Sequence, residues 1–274
     1  MKFLEKLFFL YIHASVHVAL AACALVGVTS FHFKFSPDFI FYAFVFLSVV
    51  SGYNFIKYAT VAKLKHKSLK PRLKTIQVFS FLAFLGLCIV FWFMPLRVYT
   101  IFLVLIALGL VYIFPIFFSN KNIRSIPVLK IVNVALVWSI ITVVFPLAYA
   151  KIDMDISVLG YATKRFLFVL LWILPFEIRD LQYDDQGLGT IPQLIGIRYT
   201  QGFGLLLVVL LCVLEALLWQ PQSSVPTLVI YALLYSLLLI SQKMQSYYFS
   251  AFWVEALPIL WVILLILYQQ IMGY

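Results

Sequence analysis

The sequence predicts an all-α membrane protein, and two observations carry that prediction. Of 274 residues, 65% are hydrophobic and only 11% are charged, whereas soluble domains carry roughly 25% charged residues. Too little polar surface remains to cover a water-facing globule. The apolar residues also run in long blocks, and about 20 consecutive apolar residues cross a bilayer. Inside lipid the backbone must satisfy its own hydrogen bonds, so helices are the default. The short alternating segments of a β-barrel are not seen.

Nine transmembrane helices are expected, over 5–29, 37–62, 75–95, 98–118, 127–150, 161–179, 196–219, 225–243 and 248–271. Prolines punctuate them. Ser36-Pro37 opens the second, Pro95 closes the third, Ser125-Ile126-Pro127 opens the fifth, and Gln220-Pro221-Gln222 parts the seventh from the eighth. The first block runs past His17 to Val28 with no convincing small-residue cleavage site, and reads as a retained helix. Lys164 and Arg165, at the start of the sixth, are expected to snorkel. Cys23, Cys88 and Cys212 lie in apolar blocks and read as small core residues, not disulfide halves. No soluble domain interrupts the chain, so residues 1–274 form one membrane domain.

The basic residues set an orientation. With the N-terminus cytoplasmic, only Lys34, Arg97, Lys151, Lys164 and Arg165 of the 20 Lys and Arg fall on the outer side. The remainder lie on the cytoplasmic side, as the positive-inside rule asks. The net charge of +10 thus reads as lysines meeting anionic membrane lipids, not as nucleic-acid binding. Nine spans then leave Tyr274 outside. The expected location is an integral membrane one, the bacterial inner membrane.

Three connections on the cytoplasmic side are richer than linkers need to be. After span six, a helix continuing through Phe176–Pro192 would bring Glu177, Asp180 and Asp184 to one face at i, i+3 and i+7. Clustered carboxylates repel, and hard oxygen ligands at helical spacing suit Mg²⁺ shared with substrate phosphates. A solvated acidic loop paired with neighbouring lysines explains the spacing equally well. The connection after span two is wholly basic: Lys57, Lys63, Lys65, Lys67, Lys70, Arg72 and Lys74. It reads as a headgroup-binding loop or as an anion site for a phosphorylated substrate. The connection after span four offers Tyr112 with Lys121, Arg124 and Lys130.

On these residues the chain resembles the UbiA-type superfamily of intramembrane prenyltransferases. Ile178, Arg179, Asp180, Asp184, Gly187, Thr190 and Gly196 follow that family's second aspartate-rich motif in its menaquinone-branch form, with about one residue deleted before Thr190. Tyr112, Pro115, Lys121, Pro127 and Lys130 follow the run after its fourth helix. The first motif departs: Asn54 stands, but its three acidic places fall on Phe55, Tyr58 and Ala62. The resemblance implies a nine-helix bundle with a central cavity open to the cytoplasm. It also implies Mg²⁺ at Asp180 and Asp184, with Glu177 beside them and Asn54 from the first motif. The diphosphate would lie among Lys57, Lys63, Arg72, Lys121, Arg124 and Lys130. The substrates it implies are a prenyl diphosphate and a lipophilic acceptor.

Other polar residues interrupt the apolar blocks. His13 and His17 would share a face of a continuous first helix, with helix–helix hydrogen bonding as their simplest use. Glu255 lies inside span nine and must face a cavity or a partner; with Tyr58 and Tyr112 it is a candidate pocket residue. Glu215 is expected at the interface. The leading expectation is a prenyl transferase. A catalytically lapsed member of the same fold, binding isoprenoid lipid or serving assembly, is the alternative. A transporter would need internal repeats, and none is convincing.

Overall fold

The computed structural model describes residues 2–64, 71–113, 126–183 and 189–273, and every regular element among them is helical. The elements are α1 (Lys2–His13), α2 (Val16–Phe33), α3 (Phe39–Leu64), α4 (Pro71–Phe91), α5 (Leu96–Ile113), α6 (Pro127–Ser139), α7 (Phe145–Tyr149), α8 (Ile156–Asp180), α9 (Ile191–Leu217), α10 (Ser224–Leu239) and α11 (Leu257–Met272). A π-helical turn, Ile140–Val144, joins α6 to α7, and another, Phe249–Val254, precedes α11. Eight of the resulting helical segments are long and apolar enough to cross a membrane. The 16-residue α10 is apolar but shorter, about 24 Å at 1.5 Å per residue. The chain is an integral membrane protein of helical type.

α2 lies at the centre, packed on α3 and α11. Its Ala19, Ala21, Ala22 and Gly27 let neighbours approach. A Cβ on Gly27 would meet Val262 Cγ2 at 3.2 Å. The main core joins Leu25 and Val26 to Phe44, Phe145, Phe168, Trp172, Tyr231 and Trp261. α4 and α5 are peripheral, with 17% and 11% of their apolar windows buried against 56% for α2. Their bare apolar faces are what lipid-facing helices present.

Two prolines explain two inter-helix bonds. Pro146 has no N–H for the carbonyl of Thr142, four residues back. That carbonyl takes the Thr29 hydroxyl of α2 at 2.6 Å instead. Pro258 likewise leaves the Val254 carbonyl free, and the Trp172 indole of α8 donates to it at 2.7 Å. Backbone groups freed within a bilayer must find such partners, so the prolines lock α2 and α8 to the segments at either side.

The structure corrects several expectations. The first block is not one helix: Ser15 takes φ 61° and parts α1 from α2. His13 and His17 therefore do not share a helical face. α8 starts at Ile156, five residues before the expected boundary, because the Asp155 carboxylate caps it by accepting from Val158 N–H at 2.9 Å. Lys164 and Arg165 thus sit two turns inside and do not snorkel. They are 4% and 2% exposed. Glu215 is buried too, not interfacial, and its Oε2 receives Lys164 Nζ at 2.8 Å. α9 begins at Ile191 and kinks at Gly196, whose φ 79° and ψ 163° only glycine adopts readily. The three cysteines are free, with Cys23 and Cys212 half-buried and Cys88 exposed on α4, so none belongs to the fully buried core.

Candidate functional site

Polar side chains gather at the end of the bundle formed by the last turns of α3 and α8, the start of α6 and the segment before α11. α8 presents Glu177, Arg179 and Asp180 there. It stops at Asp180, and Leu181–Tyr183 form a turn. The continuous helix that would align Glu177, Asp180 and Asp184 therefore does not form; Asp184 lies outside the described residues. Glu177 receives Lys130 Nζ from α6 at 2.7 Å. Asp180 Oδ1 receives both Nε and Nη2 of Arg179 at 2.7 Å. The Arg179 guanidinium also lies 5.3 Å from the Phe176 ring and 5.1 Å from the Tyr247 ring, in cation–π range.

A second buried acid of this region is Glu255. It ends the π turn, with its N–H donating to Ser250 O at 3.1 Å. Only 8% of the residue is exposed. Lys57 of α3 and Arg179 of α8 are the cations within its electrostatic reach. The hydroxyls of Tyr11, Tyr53 and Tyr247 lie in the same field, and Tyr112, buried on α5, is near Tyr53. Tyr53 is 40% exposed. A buried acid is costly in a membrane without opposing charge; Lys57 and Arg179, from separate helices, offset part of that cost without forming an ion pair with Glu255.

The histidines support this region. His17 Nε2 is 3.0 Å from the Phe252 carbonyl. A carbonyl only accepts, so Nε2 carries the proton and Nδ1 accepts from the Tyr11 hydroxyl at 2.6 Å. This is the helix–helix bonding expected of it. His13 stacks between Phe9 and Tyr247, and its carbonyl accepts from Tyr58 at 2.8 Å.

Asn54 is placed differently from a catalytic group. Its Nδ2 donates to Ala14 O and Ser80 Oγ, each at 2.9 Å, and its Oδ1 accepts from Ser15 at 2.6 Å. Both amide protons and the carbonyl are committed to the α1–α2 break and to α4. Lys57 Nζ stands over the Tyr58 ring at 5.5 Å. Lys63 and Arg72 lie in the last turn of α3 and the first of α4, outside the described side chains; Lys121 and Arg124 lie outside the described residues.

The structure thus joins Lys57, Glu255, Arg179 and Asp180 with Tyr53 and Tyr112, and Glu177 with Lys130. Among the described residues no three His, Cys, Asp or Glu side chains are grouped to hold a metal. Glu177 and Asp180 each face a cation at 2.7 Å, so they do not fit a metal as they stand. Sequence reasoning did not connect Arg179 with the field at Glu255, and it missed Tyr11, Tyr53 and Tyr247. Tyr53 does precede Asn54 directly, and Tyr247 follows the break after α10.

The fold and site define an integral membrane protein of helical type with a polar cluster at one end of the bundle. Comparison of the chain with protein-family models, curated proteins and solved structures finds no match in any of the three.

Proposed function

We propose that the protein is an intramembrane transferase moving a prenyl group from a prenyl diphosphate to a lipophilic acceptor. The observation that carries this reading is the buried Glu255 with Lys57 and Arg179 within its electrostatic reach, at the end of the bundle where the three basic or acidic connections begin. In this reading α10 is a ninth, short span. The cluster opens as a cavity to the cytoplasm, which the orientation of the basic residues supports. The surface that Tyr53 exposes fits such an opening.

Breaking an allylic C–O bond leaves negative charge on the diphosphate and positive charge on the prenyl carbon. Lys57 and Arg179 offset the first charge. The rings of Tyr53, Phe176 and Tyr247 shield the second. Glu255 accepts the proton that the acceptor loses when its nucleophilic atom bonds to the prenyl carbon. The described carboxylates do not fit Mg²⁺ while Lys130 and Arg179 hold them, so no step here runs through the metal.

A second reading, a non-catalytic isoprenoid-binding relative, is favoured by one observation: Asn54, Glu177 and Asp180 are engaged in packing and ion pairs. Purified protein given labelled prenyl diphosphates of several chain lengths, with and without Mg²⁺, separates the readings. Diphosphate release supports the transferase. Saturable binding with no release supports the binding protein. Neither binding nor release sinks both.

A further inference from the structure

At the opposite end of the molecule lies a second polar region that the proposed reaction does not use. Ser157 and Arg179 stand on one helix, about 33 Å apart at 1.5 Å per residue. Around the first turn of α8, the ends of α2 and α9 border an open cleft of about 490 Å³. His32, Lys34, Ser157 and Gln220 form its polar wall, and Leu217, Leu218 and Trp219 its apolar wall.

Buried charge lies behind that wall. His32 stacks on Tyr161 with ring centroids 4.3 Å apart, and Lys164 Nζ stands 4.6 Å from the centre of the same ring. Glu215 answers Lys164. Among the described residues Arg165 pairs with no acid: its Nη2 bonds Leu25 O, Thr29 Oγ1 and Tyr161 OH, all neutral. Arg165 Nη1 has no protein partner, nor has the hydroxyl of Tyr231, which lies within electrostatic reach of Arg165. Among the described residues the buried cluster therefore holds two cations, Lys164 and Arg165, against one anion, Glu215. An uncompensated guanidinium within a bilayer draws negative charge toward it. His32 lies in the field of both cations, so that field reaches the cleft, and Lys34 adds to it at the rim. Gln220 Nε2 contacts His32 Nε2 at 3.4 Å, while its buried Oε1 has no partner.

We infer that this cleft binds the headgroup of an anionic phospholipid. The phosphodiester sits beside Lys34 and His32, and Gln220 Oε1, which can only accept, takes a headgroup hydroxyl. The glycerol and acyl chain run over Leu217 and Trp219, which are 75% and 50% exposed at the rim. Tryptophan at the headgroup level is the usual membrane-interface residue. Asp155, which accepts from the Ser157 hydroxyl at 2.6 Å, offsets Lys34 at the rim, so the charge of Arg165 behind the wall selects an anionic over a zwitterionic headgroup, and the apolar wall selects a lipid over a free phosphate ester.

Thermal unfolding of the whole protein in neutral detergent tests this, with added phosphatidylglycerol, phosphatidylcholine or glycerol phosphate. Phosphatidylglycerol is expected to raise Tm, and the other two are not. Lys34→Glu and, independently, Gln220→Leu should abolish that rise, while Lys243→Glu at the other end should keep it. Equal rises with phosphatidylcholine or with glycerol phosphate overturn the assignment. So does a full phosphatidylglycerol effect in both cleft variants, or its loss in Lys243→Glu.

Discussion

Lys164 Nζ lies 2.8 Å from Glu215 Oε2, tying α8 to α9 with both side chains almost wholly buried. Removing one partner of a buried pair strands the other charge and costs about 3–5 kcal/mol. Lys164→Met and Glu215→Leu should each lower the unfolding midpoint in detergent. The double variant should recover most of the loss, because no unpaired charge remains. A double variant as unstable as the sum of the two would contradict the pairing.

Asn54 closes the α1–α2 break through Ala14, Ser15 and Ser80. Asn54→Ala leaves the buried Ser15 hydroxyl and Ala14 carbonyl without that partner, at about 1–3 kcal/mol for each group stranded. Asn54→Asp, which cannot donate when ionised, should be worse. The readout is the denaturation midpoint, with ligand affinity of the surviving folded fraction unchanged. Full stability with selective loss of turnover would instead make Asn54 a catalytic residue.

A Cβ on Gly204 would press on Leu238 and touch Leu171 at 3.4 Å, whereas one on Gly202 would meet nothing within 4 Å. Gly204→Val should overpack the α8–α9–α10 contact, with a loss of about 1–3 kcal/mol. Gly202→Ala on the same helix should be neutral or slightly stabilising. Parallel unfolding curves check this, and equal losses would disprove it.

The Asp155 carboxyl sits below its ordinary range because the Ser157 hydroxyl and the Val158 N–H donate to it. Its folded pKa is depressed, so the capping contribution is present above the unfolded pKa. It is lost as pH falls through the folded value. Tm of the wild type should therefore drop across the acidic carboxylate range more steeply than that of Asp155→Asn. Superimposable profiles would refute the cap.

Long apolar blocks made the helices and the membrane setting legible, and proline marks such as Pro127 sat where helices begin. The boundary of α8 was not legible. Apolar periodicity starts later than the Asp155 cap, and this hid the burial of Lys164 and Arg165. The break at Ser15 was invisible because a left-handed serine carries no apolar signal; Asn54, distant in sequence, helps hold it. At the site, the acid run after span six was legible as a list of residues. Its pairing was not, since Lys130 and Glu177 meet only when α6 packs on α8. Arg179 reads in sequence as a neighbour of Asp180, and only the fold brings it near Glu255.

The central claim is that Lys57, Arg179 and Glu255 act together on a prenyl diphosphate. It is tested most directly by diphosphate release from a labelled prenyl diphosphate with a mixture of lipophilic acceptors, comparing wild type with Glu255→Gln and Lys57→Met. The wild type should release diphosphate. Glu255→Gln should still bind but release slowly. Lys57→Met should bind about tenfold more weakly, the loss of roughly 1.4 kcal/mol. Release unchanged in both folded variants, or absent from the wild type across all chain lengths and acceptors, would contradict it.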